Sequence, residues 1–144
     1  MAHQVSPLAP AAFPELPPIA GVMLAAAETG IRYKNRPDVL MAVLDPGTSV
    51  AGCFTRSKSR SAPVDWCVSS LGAGTARAVV INAGNANAFT GKAGVATVTA
   101  VAKSAAKLLN CKPAEIFQAS TGVIGEPLNP DFITKALPAL ADAA

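Results

Sequence analysis

At 144 residues, 51% hydrophobic and only 15% charged, the chain can build one domain with a real core and is not a disordered polymer. Its net charge of +3 includes one dense basic run, Arg56-Ser57-Lys58-Ser59-Arg60, which lacks interleaved aromatics and so argues for a solvated loop against a nucleic-acid surface. Three cysteines (Cys53, Cys67, Cys111) without CxxC spacing and a single histidine, His3, argue against a disulfide framework, a metal centre and histidine catalysis, and fit a reducing cytoplasm.

In chain order, residues 1–18 carry five prolines and predict an extended arm, with one α+β domain over residues 19–144. The apolar run 19–27 is too short to span a bilayer, which predicts a soluble protein with no membrane partner. Residues 19–28 and 39–44 read as strands. Asp45-Pro46-Gly47 is turn chemistry, and a third strand over 49–55 would complete a hairpin. Pro63 opens a short helix over 62–71, closed by Gly72-Ala73-Gly74. The β-branched run 78–81 lacks alternation, as in a strand covered on both faces. It leads into residues 82–91, where Asn82, Asn85 and Asn87 predict a loop outside the core, stapled by its own side chains or bearing substrate contacts. Residues 91–109 form the strongest helical pattern, with Val95, Val98, Ala102, Ala105, Leu108 and Leu109 on one face. A strand over 114–119 follows. Asn129-Pro130-Asp131 then starts a last helix that buries Phe132, Ile133, Ala136, Leu137 and Leu140, and Pro138 should end or kink it near Leu137.

Residues 118–127 concentrate the candidate chemistry. Ile116 and Phe117 lead into Ser120-Thr121-Gly122, and Gly122 and Gly125 free the backbone. A strand ending in a glycine turn fits this pattern. So does a cluster of N–H groups with a Thr hydroxyl, arranged to receive an oxyanion or a phosphate. Elsewhere there is no Ser-His-Asp set, no GxGxxG, no GxxxxGK[ST] and no metal-ligand cluster. Two polar, glycine-bearing segments that each follow an apolar strand could face one cleft, with the reacting nucleophile supplied from elsewhere.

Those two segments, Ile81-Asn82-Ala83-Gly84-Asn85-Ala86-Asn87-Ala88-Phe89-Thr90-Gly91 and Ala119-Ser120-Thr121-Gly122-Val123-Ile124-Gly125-Glu126-Pro127-Leu128, resemble the ornithine acetyltransferase family, the bifunctional glutamate N-acetyltransferases of arginine biosynthesis. Gly52-Cys53-Phe54-Thr55, Ala62-Pro63-Val64, Gly30-Ile31 and Arg36-Pro37-Asp38 support the likeness, which covers residues 19–144. The resemblance implies a layered α/β/β/α sandwich, similar to N-terminal-nucleophile hydrolases but with its own topology, completed by a β chain. It implies a precursor that cuts itself before a threonine, which becomes the β chain's N-terminal nucleophile, and an α₂β₂ assembly in the cytoplasm. The reaction would move acetyl from N-acetylornithine to glutamate through an acetyl-threonine. No cofactor is implied, although some members accept acetyl-coenzyme A as donor. The family's oxyanion hole falls on Thr121 and Gly122.

The chain ends at Ala144, short of the family's usual α-chain end, so the nucleophilic threonine and most substrate-binding residues are expected on other segments. The chain alone should then be inactive. Other readings are a non-catalytic fragment that templates a β chain, a related self-cleaving amidohydrolase, and a phosphate-binding module, the last lacking the lysine such loops use.

Overall fold

The computed structural model describes residues 7–12 and 14–144, and His3 with part of the expected arm lies outside the described residues. Strands β1 (Val22–Ala27), β2 (Val39–Leu44), β3 (Ala78–Asn85) and β4 (Ile116–Val123) form one sheet in that order. The β1–β2 and β2–β3 pairs are antiparallel, and β3–β4 is parallel. The parallel pair needs a long crossover, which α2 (Gly91–Leu108) supplies; α1 (Ala62–Ser70), α3 (Asp131–Thr134) and α4 (Leu137–Ala143) complete the helices among the described residues. The chain is thus α+β, a mixed sheet with helices against it.

β2 is apolar throughout, yet its burial alternates: Val39, Met41 and Val43 are buried while Leu40, Ala42 and Leu44 are only half-buried. Pairing register puts Ala25, Ala27, Ala78, Val80 and Ile116 on the buried side. Val101, Ala102, Ala105 and Ala106 of α2, Ile133 of α3, and Leu137 and Leu140 of α4 close that core. Alanines on both elements let α2 approach the sheet closely. The opposite face carries Leu24, Leu40, Ile81 and Ala119 by the same register, and Leu24 is 62% and Ile81 38% exposed. Cover on both faces, expected from the missing alternation, therefore comes from within the described chain on one face. Only one end of the other face is covered, where Phe117 is buried beneath Val50 and Phe54.

Three expectations change. Residues 49–55 form no strand: Ser49 makes a single bridge to Thr75. Both edges of β2 are already taken by β1 and β3, so no edge remains for a hairpin return. Val50 and Phe54 are satisfied by packing instead. The buried face of α2 runs through Gly94, Thr97, Val98, Val101, Ala102, Ala105 and Ala106, whereas Val95 and Leu108 are exposed. Polar contacts turn the helix: Asn87 Nδ2 donates to Gly94 O (3.1 Å), and Thr97 Oγ1 donates to Leu128 O (2.7 Å). Finally, Phe132 of the last helical region is not buried, while the break between α3 and α4 falls just ahead of Leu137, near where it was expected. Pro138 sits in the first turn of α4, where its missing N–H costs nothing, and Phe132 is 39% exposed.

Candidate active site

The parallel pairing of β3 with β4 brings the two polar segments together residue by residue: Asn82 opposite Ser120, Ala83 opposite Thr121, Gly84 opposite Gly122. Beyond the ladder the contact continues, with Ala86 N donating to Val123 O (2.9 Å) and Gly125 N to Ala88 O (2.9 Å). The two segments form one structure. β4 runs through Thr121 and Gly122 to Val123, so the expected turn after 119 moves to the residues beyond the strand.

The asparagines also depart from expectation. Asn82 and Asn85 lie in β3, and Asn82, Asn85 and Asn87 are 3%, 5% and 1% exposed, well inside the protein. Burial of an amide is tolerable when its polar atoms are paired, and here they are. Asn82 Nδ2 donates to Asn85 O (2.9 Å), Asn85 Nδ2 to Glu126 O (2.9 Å), and Asn85 Oδ1 accepts from Asn87 N (2.7 Å). Asn87 Oδ1 accepts from Thr90 Oγ1 (2.8 Å), and Asn82 Oδ1 from Ser120 Oγ (2.6 Å). The left-handed backbone expected of asparagine occurs at Asn87, whose φ is 46°.

Thr121 and Gly122 are both exposed. By register Thr121 shares the uncovered sheet face with Ile81 and Ala119, while Ser120 shares the helix-covered face with Asn82. Gly122 has φ 136°, and a Cβ there would fall on the Gly84–Asn85 peptide, so the close approach of the two backbones requires glycine. α1 lies along the outer edge of β4: Gln118 N donates to Cys67 Sγ (3.3 Å), Cys67 Sγ donates to Gln118 O (3.2 Å), and Trp66 Nε1 donates to Ile116 O (2.8 Å). A strand alternates its hydrogen-bonding edges with period two. Ser120 and Gly122 thus direct N–H to the same outer edge as Gln118, whereas Val123 faces β3. The Thr121 hydroxyl and the Gly122 N–H stand at one corner, where face meets edge. A hydroxyl and a main-chain donor so placed can hold a developing negative charge without a cationic side chain.

Sequence reasoning missed two supports of this corner. Arg32 Nη1 bridges Glu126 Oε2 (3.1 Å), tying the segment after Gly30-Ile31 to the far end of the β4 motif. Asp38 lies inside the protein. It is 3% exposed and accepts from Thr29 N (2.7 Å), Thr29 Oγ1 (2.9 Å) and Ile31 N (2.7 Å), fixing the loop that carries Arg32. An acidic residue immediately before an apolar strand was the available signal. Burial pushes the Cys67 thiol above its ordinary pKa, with the Gln118 N–H pulling the other way. A cavity of about 190 Å³ lined by Ala26, Leu40, Ile81 and Ala83 opens on the same sheet face as Thr121. Two larger ones, about 520 and 510 Å³, lie between α1 and the start of α2 and beside α3. Among the described residues no helix is long and apolar enough to cross a membrane.

The model of the ArgJ family matches residues 23–144. The chain is 59% identical over 144 residues to the arginine biosynthesis bifunctional protein ArgJ of Bradyrhizobium diazoefficiens, covering all of this chain and 35% of that protein. It is 56% identical over 144 residues to the ArgJ protein of Rhizobium meliloti, again covering 35% of it. The chain thus spans about a third of the length of the curated relatives it matches. Among solved structures it is similar to the ornithine acetyltransferase of Mycobacterium tuberculosis complexed with ornithine, with TM-score 0.81 and 33% identity over 85% of this chain and 67% of that one. The ArgJ protein of Bacillus halodurans matches with TM-score 0.77 and 30% identity, over 82% of this chain and 62% of that one.

Proposed function

The chain belongs to the ArgJ family, and we propose that it is the α-chain part of a self-cleaving acetyltransferase of arginine biosynthesis. The reaction moves acetyl from N-acetylornithine to glutamate. A β chain contributes the N-terminal threonine that carries the acetyl group, and this chain contributes the oxyanion hole, Thr121 and Gly122. The observation that carries the reading is the register of β4 against β3, which puts Thr121 on the uncovered sheet face beside Ile81 with both Thr121 and Gly122 exposed; strand alternation then turns the Gly122 N–H to the adjoining edge.

When the threonine hydroxyl attacks the acetyl carbonyl, the carbonyl oxygen gains negative charge. Two donors already in place stabilise that charge more than they stabilise the neutral ground state. Collapse of the tetrahedral species expels ornithine and leaves acetyl-threonine. Glutamate then takes the acetyl group through a second tetrahedral species held at the same corner. The uncovered apolar face supports the partner. Leu24 and Ile81 gain about 1.5–3 kcal/mol each when a partner removes them fully from water, and less in proportion to the surface they already bury. A partner on that face brings its nucleophile to the side where Thr121 stands. In the assembled α₂β₂ enzyme, Thr121→Ala should lower kcat by about 10²–10³ with KM for N-acetylornithine nearly unchanged. Thr121→Ser, which keeps the hydroxyl, should retain most activity. A folded, fully cleaved Thr121→Ala enzyme with near-normal kcat would exclude the assignment.

A further inference from the structure

The segment that bears Thr121 and Gly122 is held at both ends by β3. On one side of the pair, Ser120 Oγ donates to Asn82 Oδ1 at 2.6 Å. On the other side, Asn85 Nδ2 donates to Glu126 O at 2.9 Å. The two anchors are themselves joined, because Asn82 Nδ2 donates to Asn85 O at 2.9 Å. Both asparagines are buried, and among the described residues no buried side-chain nitrogen or oxygen lacks a partner. The chain of bonds thus runs from the residue before Thr121, through two buried amides, to a carbonyl four residues past Gly122.

We propose that Ser120, through its bond to Asn82, is a positioning residue for the oxyanion donors. The inference rests on the oxyanion reading of Thr121 and Gly122. Ser120 and Thr121 are consecutive in a strand, so their side chains point to opposite faces. Rotation of the strand about its own axis moves both together. Fixing Ser120 to the helix-covered side therefore fixes the direction of the Thr121 hydroxyl on the open side. Gly122 needs such a fixture more than most residues, since its φ of 136° is one that glycine tolerates but nothing in its own chemistry selects. Ser120 is only half-buried, so its hydroxyl is not required to fill the core. Its remaining physical consequence is direction. A short bond to an immobile, doubly engaged amide defines direction well, because Asn82 cannot turn without releasing Asn85 O.

The test is a set of variants in the assembled enzyme, with cleavage checked by intact mass and stability by thermal midpoint. Ser120→Ala should lower kcat about 10- to 100-fold, the range expected for a displacement of order 1 Å at a reacting group, with KM within about twofold. Ser120→Thr, which keeps the hydroxyl and suits a strand, should restore most of the rate. Ser120→Cys, a weaker donor of similar size, should fall between, and is read in place of Ala if Ala impairs folding. In a Thr121→Ala background, Ser120→Ala should cost clearly less than it does in the wild type, because the part of its effect that passes through Thr121 is already lost and only the part through Gly122 remains; such non-additivity marks residues that act as a unit. Normal kcat for Ser120→Ala beside an impaired Thr121→Ala overturns the inference and leaves the oxyanion reading standing. Full additivity of the two losses, or parallel loss of rate and stability that Thr does not rescue, overturns it equally. A Thr121→Ala enzyme of normal kcat removes the reading beneath it.

Discussion

Gly122 sits where two strands run closer than side chains allow. Its φ of 136° lies in a region that L-residues rarely adopt, and a Cβ would meet the Gly84–Asn85 peptide, which cannot swing aside as a side chain could. Gly122→Ala should therefore destabilise by at least about 2 kcal/mol, read as a shift in the urea midpoint, and should lower self-cleavage yield. A variant as stable as wild type would mean that β3 and β4 are not held this close. Gly94 belongs to the same category for a different reason: a Cβ there would meet Thr90 Oγ1 and Asn87 Oδ1. Cys67 adds a pH effect. Its folded-state pKa is raised, chiefly by burial. Cys111 is raised by burial and by Glu115, with Arg77 opposing. Below the ordinary thiol pKa both folded and unfolded chains hold these protons and stability is unaffected. Above it the unfolded chain releases them first, so stability falls as pH rises. Thermal midpoints should decline through that alkaline range, and replacing both cysteines by alanine should flatten the decline. An unchanged slope would assign the pH dependence to other groups.

At the scale of elements, the join between β3 and α2 depends on Asn87. It is 1% exposed, left-handed, and bonded to Gly94 O, Thr90 Oγ1 and Asn85 Oδ1. Asn87→Ala should cost about 1–3 kcal/mol, because the Gly94 and Thr90 groups lose a buried partner, and the thermal midpoint reads that loss. An unchanged midpoint would mean water replaces the amide without cost. This join also marks where the sequence was legible and where it was not. The Val39–Leu44 strand, the start of α1 at Ala62 and the extent of α2 follow from apolar runs, Pro63 and helical spacing, all of them local signals. The motifs over 81–91 and 119–128 carried the family likeness. Their conformation was hidden because it is set across chain positions far apart: Asn82 is tolerable in the core only when Ser120 lies opposite it. The same holds for Asp38, whose carboxylate is satisfied by Thr29 and Ile31, and for α2, whose polar anchors override the larger apolar side chains at Val95 and Leu108. Residues 49–55 had strand composition, but both edges of β2, the strand they would return along, are taken by β1 and β3.

At the scale of the molecule, the sheet is finished on one face and open on the other. Helices α2 and α4 close the first around Met41, Val80 and Ile116, and the second presents Leu24, Leu40 and Ile81 with Thr121 at its end. An apolar face of this kind favours a partner layer, and a β chain seated there would meet the proposed donors directly. Placing a polar group on it, as in Ile81→Asp, should weaken association with the β chain while leaving the α2 core intact; co-purification yield and the circular dichroism of the chain report the two. Undiminished assembly would place the partner elsewhere. The most direct measurement is the rate of acetyl transfer from N-acetylornithine to glutamate by this chain alone and by the full self-cleaving precursor that contains it, in which it is paired with the β chain. Turnover confined to the assembled pair, with acetyl trapped on the β chain's N-terminal threonine, is the predicted result. Turnover by this chain alone, or an assembled and fully cleaved pair that transfers no acetyl, would contradict it.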